Sequence, residues 1–489
     1  MGKDTTWTGG CPVADQRFPF AETFSYPQRD WYDTYRRLTE NEPQHVLMES
    51  GRGGRWIFIG VRPWARLYGK NRRLTIEENG TVYTKDGPLL ESLRNWLSAH
   101  PAVRDPNLPD FQGGLAGQFS YDLIREIESL PEKAEDDLLT ADIDLAAFDE
   151  LYVLDTQEKR RFHIVLETEA SRAGTRLDRM REAWQQAEHA GAPPFPEVRI
   201  LEDPEMVTRS FSEKMFIRAV EKIQEYIAAG DVFQVNLSVR ETRPQTTSAE
   251  HIYSCLRRLN PSPYMSYFHT PERTYIGASP ELLVKVKGSV VSTRPIAGTR
   301  SRGKDEAEDA ALAATLLENE KERAEHIMLV DLERNDLGRV CRYGSVEVNE
   351  LMVIEKYSHV QHIVSNVRGE KAPEHDAVDV LAAAFPGGTI TGAPKIRTME
   401  IIEELEPVRR GAYTGAMGWI GLDGDMEVNI TIRTMIAEAG ELHVQAGAGI
   451  VIDSLPEAEF QESLKKAKAL WRAKEMSEEE QEEQRRIST

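Results

Sequence analysis

Apolar residues recur along this chain at two spacings, three or four in some stretches and two in others, and the spacing assigns the elements. Residues 213–229 carry Phe216, Ala219, Val220, Ile223 and Ile227 at helical steps, which predicts a helix. Ser210 and Glu213 are spaced as a capping box at its start, and Gly230 ends it. Phe233, Val235, Leu237 and Val239 then alternate with Gln234, Asn236 and Ser238, which predicts a strand with one apolar and one polar face. Residues 275–294 predict two strands about a Lys287-Gly288 turn, followed by helices over 304–318 and 320–333. Strands are expected near 345–356 and 357–368. In the second, His362 shares a face with Val360 and Val364, and by period alone it is a hydrogen-bonded core residue.

The first 200 residues are less regular. Residues 1–30 lack a period, and 31–200 mix short strands with helices. A strand closes at Leu47-Met48-Glu49-Ser50, before a turn over 51–54. Phe111-Gln112-Gly113-Gly114-Leu115-Ala116-Gly117 is small and permissive, as where backbones pack closely. A helix over 175–189 runs into His-Ala-Gly-Ala-Pro-Pro-Phe-Pro, residues 189–196, the best linker in the chain. Division there gives an N-terminal subdomain (1–199), a second region (200–475) and a frayed polar tail (476–489). No internal repeat is visible.

Two helical patterns carry acid on their faces. Residues 320–337 hold good helix formers without Gly or Pro. Glu322, Glu325, Leu329 and Leu332 step by three or four and share one face. An inward carboxylate is unfavourable unless a cation or donor meets it. The alternative is a solvated helix start whose buried stripe begins at Met328. Residues 454–472 open with a capping box from Ser454 to Glu457, with Pro456 in the first turn, and put Glu459, Glu462 and Lys466 on one face. Two such faces can supply oxygens to one hard cation, and Mg²⁺ favours few carboxylates, several waters and an anionic substrate group. Lys466 can hold a further substrate carboxylate as a point charge.

Composition narrows the partners. The 489 residues allow two or three domains at roughly 150 residues each. A net charge of −21 argues against nucleic acid or an anionic membrane surface, so an anionic substrate needs a cation or a basic pocket. Cys11, Cys255 and Cys341 are scattered and fit a reducing compartment. No apolar run approaches a membrane span, and the N-terminus lacks an apolar signal core. Gly2 and Thr6 match a myristoylation pattern too short to carry weight. A cytoplasmic protein is expected. Two Gly-rich loops remain: 385–395, before a helix, can present N–H groups to an anion or be an ordinary connection, and 445–450 precedes the second acidic helix.

Residues 210–472 resemble the chorismate-utilising enzymes. The resemblance rests on Gly-Asp-Val-Phe-Gln-Val-Asn-Leu-Ser (230–238), Ala-Ser-Pro-Glu (278–281), Arg-Pro-Ile-Ala-Gly-Thr-Arg (294–300) and Lys-Glu-Arg-Ala-Glu-His (321–326). It continues through Tyr-Ser-His-Val-Gln-His (357–362), the 385–395 loop, Asn-Ile-Thr-Ile-Arg-Thr (429–434) and Gly-Ala-Gly-Ile (447–450). The first 200 residues match the amine-forming branches more loosely. The resemblance implies an α+β fold of two large antiparallel sheets packed as a sandwich, helices outside, with the site at one end.

It also implies roles. Glu325 and Glu462 match Mg²⁺ ligands, with Glu322 and Glu459 as additional carboxylates. Glu281 matches the general acid that protonates the departing 4-hydroxyl of chorismate, and His362 and Thr389 flank the ring. Tyr413 and Arg433 match binders of the enolpyruvyl carboxylate; Lys466 and the backbone at Gly447 match the remaining carboxylate contacts. Gln234 stands where the water-using branches place a lysine base, so ammonia is the implied nucleophile. No Gly-x-Cys-x-Gly turn is present, which implies a separate glutamine amidotransferase subunit as the ammonia source.

Two amine-forming branches stay open. Ala297, before Gly298 and Thr299, is the anthranilate synthase residue, where many aminodeoxychorismate synthases carry a lysine that attacks C2. Gly387-Gly388, Asn429 and the run 321–370 resemble the aminodeoxychorismate branch instead. The resemblance leans to the latter, with anthranilate formation as the alternative and a non-catalytic regulatory subunit as a third reading. Ser50, Pro261, Tyr264 and Met265 match a tryptophan-type effector pocket, or a close-packed contact between subdomains.

Overall fold

The computed structural model describes residues 16–27, 30–51, 54–198, 207–356 and 360–488. Gly2, Thr6, Cys11, residues 52–53, the 199/200 division and Tyr357-Ser358-His359 lie outside them.

Two sheets of twelve strands each dominate, and all their pairings are antiparallel. The first holds Gln234–Pro244 beside Glu441–Ile450, and Tyr264–His269 between His45–Glu49 and Arg273–Ser279. The second holds Ala416–Gly421 between Met426–Ile430 and Gly114–Phe119, with Ile296–Ser301 at one edge beside Val360–Glu370. Each sheet draws strands from both sides of the 189–196 stretch.

Alternation along the strands sorts side chains into layers. Val46, Met48, Phe58, Phe268 and Tyr275 of the first sheet meet Phe148, Met417 and Trp419 of the second in one buried cluster between the sheets. The intervening residues face outward. Leu47 and Ile59 pack under helices Trp31–Thr39, Ala170–Ala190 and Ala249–Leu259, and Leu115 and Leu145 under Leu89–Ser98 and Ala377–Ala384. This is the expected sandwich with helices outside. Among the described residues no helix is long and apolar enough to cross a membrane.

Four local expectations change. The helix Glu213–Ala228 is capped by Ser212, whose side chain accepts from the Met215 N–H, not by Ser210. Ser210 Oγ instead accepts from the Arg240 N–H at 2.9 Å, tying the chain to the strand edge. Ser454 Oγ turns back to the Val451 N–H at 3.1 Å while the helix starts at Pro456. That helix runs to Ser488, so the expected frayed tail is its last turns. A polar sequence looks frayed by composition, but here Ser477 meets Thr247 at 2.6 Å and Glu480 meets both His251 and Arg258. The acidic helix is also longer than its sequence limits, Glu320–Gly338.

Candidate active site

The chain crosses from one sheet to the other at two neighbouring places, and each carries a charged side chain. Pro280-Glu281 links Arg273–Ser279 of the first sheet to Leu282–Lys287 of the second. Residues 431–433 link Met426–Ile430 of the second to Thr434–Glu438 of the first. The crossovers are stitched together: the Ile430 N–H donates to Glu281 O, and the Ala278 N–H to Arg433 O, both at 3.0 Å. Arg433 holds φ at 51°, a region that L side chains seldom occupy and that recurs where surroundings fix a functional group.

Glu281 is 6% exposed, and its Oε1 has no hydrogen-bond partner, nor does the Thr389 hydroxyl. Burial raises the carboxyl to about 7, against the opposing pull of Thr389, the Ile296 backbone and the Arg433 charge. Burial also lowers the Arg433 guanidinium and raises Tyr413. His362 is held neutral mainly by burial. Its Nδ1 lies 3.0 Å from Gly298 O, so the ring donates there and carries its lone pair on Nε2. Thr299 Oγ1 sits 3.1 Å from the same nitrogen.

These groups face one cavity of about 660 Å³. Gln234, Ala297, Thr299, His362, Thr389, Tyr413, Arg433 and Gly447 line it with Glu281. Glu322 and Glu325 enter from helix Glu320–Gly338, and Glu459, Glu462 and Lys466 from helix Pro456–Ser488. The cavity thus brings together the twelve residues assigned above to catalysis, substrate contact or metal binding, and adds Ala297 and Thr299 as candidate substrate contacts. Leu329 lines it as well, which places the acidic face of the first helix inward and excludes the solvated alternative.

Glu325, Glu322 and Glu462 each have a donor within reach. Gln234 Nε2 donates to Glu325 Oε1 at 3.2 Å, and Arg300 Nη1 to Glu322 Oε1 at 3.2 Å. Lys466 Nζ bridges Glu462 Oε1 at 2.9 Å and Gly447 O at 3.1 Å. Burial, then the charge of Glu462, raises the Glu459 carboxyl. Glu459 and Glu462 share one helix and Glu322 and Glu325 the other, and all four are carboxylates of the kind Mg²⁺ takes. Their oxygens are not drawn tight: the group of metal-ligand side chains whose ligand atoms fall within 4.8 Å of one another lies elsewhere among the described residues.

Backbone closeness shapes the floor. A Cβ on Gly447 would come within 2.6 Å of Asn236 Oδ1, and one on Gly449 within 2.3 Å of Gln234 Nε2. Bulk at either position would push the polar face of Gln234–Pro244 into the cavity.

Arg410 belongs to none of the motifs read from the sequence, yet it braces the cavity. It is 3% exposed and pairs with Glu406 at 2.7 Å. It also donates to Ile390 O at 3.0 Å and Asn236 O at 2.7 Å. One guanidinium therefore joins the Thr389 loop, the Gln234 strand and the turn that carries Tyr413. Its signal in the sequence was a bare Glu-x-x-x-Arg spacing, which surface helices share.

A separate pocket of about 40 Å³ is lined by Ser50, Tyr264 and Met265, with Glu49, Trp419 and Asn429. Pro263 lines it, and Pro261 does not. Glu49 is bound by the Tyr253 hydroxyl at 2.6 Å and by Arg257.

Residues 43–472 match the family model described as chorismate binding enzyme. The chain is 49% identical to aminodeoxychorismate synthase component 1 of Bacillus subtilis over 95% of its own length and 99% of that protein's. It is 42% identical to anthranilate synthase component 1 of Thermus thermophilus, covering 94% of this chain and 98% of the other. The crystal structure of anthranilate synthase component I from Streptococcus pneumoniae superposes with a TM-score of 0.75 at 36% identity, over 86% of this chain and 92% of that one. Sheet-crossing Glu281 and Arg433, two acidic helix faces on one cavity and a family match over most of the chain agree: this protein belongs to the chorismate binding enzymes.

Proposed function

We propose that this chain is the chorismate-aminating subunit that makes 4-amino-4-deoxychorismate from chorismate and ammonia, with water as the other product. The observation that carries the reading is the pairing of Glu281, a carboxyl still half protonated at about pH 7, with Gln234, an amide that cannot deprotonate water, in one cavity. Glu281 delivers its proton to the departing 4-hydroxyl, which leaves as water, and nitrogen takes its place. Arg433 and the Tyr413 hydroxyl bind the enolpyruvyl carboxylate. His362 and Thr389 flank the ring. Lys466 and the Gly447 backbone take the remaining carboxylate contacts.

Glu325 and Glu462, supported by Glu322 and Glu459, would hold Mg²⁺, and the bound ion would supply charge neutralisation for the ring carboxylate. Ammonia comes from glutamine through a separate amidotransferase subunit. The free, buried thiols Cys255 and Cys341 fit a cytoplasmic setting.

The choice of product leans on 49% against 42% identity to the two kinds of relative. Ala297 keeps anthranilate formation as the second reading, because the cavity has no lysine at that position to attack C2. The test is chorismate, Mg²⁺ and ammonium with the purified chain. Formation of 4-aminobenzoate only after a lyase is added supports the first reading. Direct appearance of fluorescent anthranilate replaces it with the second, and no amine product from either route overturns both.

A further inference from the structure

Far along the C-terminal helix from the chorismate cavity, two helices bring three different metal-ligand groups together. His251 and Cys255 lie one turn apart on Ala249–Leu259 and are 2% and 0% exposed. Glu480 approaches from Pro456–Ser488. His251 Nε2 is 3.0 Å from Glu480 Oε2, and Cys255 Sγ is 3.9 Å from the same oxygen. All three ligand atoms fall within 4.8 Å of one another. Glu480 is eighteen residues beyond Glu462, about 27 Å at the helical rise, so this group is separate from the acidic cavity.

The imidazole is already aimed. Its ring stacks on Phe195 with centroids 4.1 Å apart and planes 10° apart, and Arg36 lies over the other side of Phe195 at 3.6 Å. Burial lowers His251, which favours the neutral ring a ligand needs, and raises the Cys255 thiol to about 11, which a bound cation has to overcome. Arg258 is the competing group: its Nη2 donates to Glu480 Oε1 at 2.6 Å and lies 3.2 Å from Cys255 Sγ. Its side chain is half exposed at the end of its helix and can swing to solvent.

We propose that His251, Cys255 and Glu480 form a transition-metal site that takes Zn²⁺ or Co²⁺ and staples the C-terminal helix to Ala249–Leu259. The donor set decides the class. Thiolate and imidazole select zinc-like ions over Mg²⁺, and three protein ligands leave a fourth, tetrahedral position for water. Binding displaces Arg258 and expels the thiol proton, since the ligand is the thiolate. No redox step is involved.

The test uses the full chain, stripped with chelator and titrated with Co²⁺ in excess Mg²⁺, which keeps cobalt off the carboxylate site. One equivalent should bind with a thiolate-to-cobalt charge-transfer band in the near ultraviolet, and Zn²⁺ should bleach it. Cys255→Ser should abolish the band, and Glu480→Gln, partly exposed and tolerant of change, should weaken binding by at least about tenfold. Tm should rise with Zn²⁺ in the parent chain and not in Glu480→Gln, while ammonia-dependent turnover in Mg²⁺ is unchanged in that variant. A parent chain that shows no thiolate band and no zinc-dependent Tm shift at micromolar metal overturns the site and leaves a metal-free hydrogen-bonded triad.

Discussion

Glu281 works because its neighbours do not satisfy it. Its pKa of about 7, against 4.5 for an ordinary glutamate, comes first from burial. A raised acid keeps its proton in the folded state, so its stabilising contribution is complete below about 4.5 and lost as pH rises through about 7. Turnover that needs the proton falls across the same upper limit. We expect a descending limb in the pH–rate profile near neutrality, and Glu281→Gln to lose roughly 10²–10⁴-fold in turnover while still binding chorismate by calorimetry. Arg410 is a residue of the other kind, fully satisfied. Arg410→Met leaves Glu406 buried without its cation, and urea unfolding should report a loss of about 3–5 kcal/mol. A mere surface pair would lose well under about 1 kcal/mol.

At the scale of elements, each acidic helix serves two masters. Glu320–Gly338 buries Leu329, Val330 and Leu337 while pointing Glu322 and Glu325 into the cavity. The same helix buries Glu333, raised to about 8 by burial, with the Asp336 and Glu281 charges adding to the shift. By the same sign rule, its contribution is lost as pH rises through about 8. Glu333→Gln is therefore expected to raise Tm at pH 9 more than at pH 5, measured by calorimetry at both. The helix Glu213–Ala228, by contrast, depends on its first turn. Ser212→Ala removes the cap on the Met215 N–H and should cost about 0.5–2 kcal/mol, with far-ultraviolet dichroism to follow the melt.

For the whole molecule, the sheets tie the two halves of the sequence together. Tyr264–His269 pairs with His45–Glu49, and Ala416–Gly421 with Gly114–Phe119. A fragment starting at residue 207 would leave both strands with open edges and strip Phe58 and Phe148 from the inter-sheet core. We expect that fragment to aggregate rather than fold, and to recover monodispersity in gel filtration when coexpressed with residues 1–206. The cavity depends on the same union, since the crossovers at Glu281 and Arg433 exist only because two sheets face each other.

Features that depend on neighbours a few residues away are legible in the order of amino acids. The alternation of Val235, Leu237 and Val239 against Gln234 and Asn236 placed the strand and its polar face, and steps of three and four put Glu322 with Glu325 and Glu459 with Glu462. Motif order was enough for the family. Local spacing misled where two readings compete at one short motif, as with Ser210 and Ser212, or where polar composition hid a docked helix beyond residue 475. Three-dimensional packing alone sets which carboxyls lose their water, lets Arg410 bind three segments at once, and brings to His251 and Cys255 a glutamate more than two hundred residues on. Desolvation and convergence are properties of the surroundings, and no one-dimensional period encodes them.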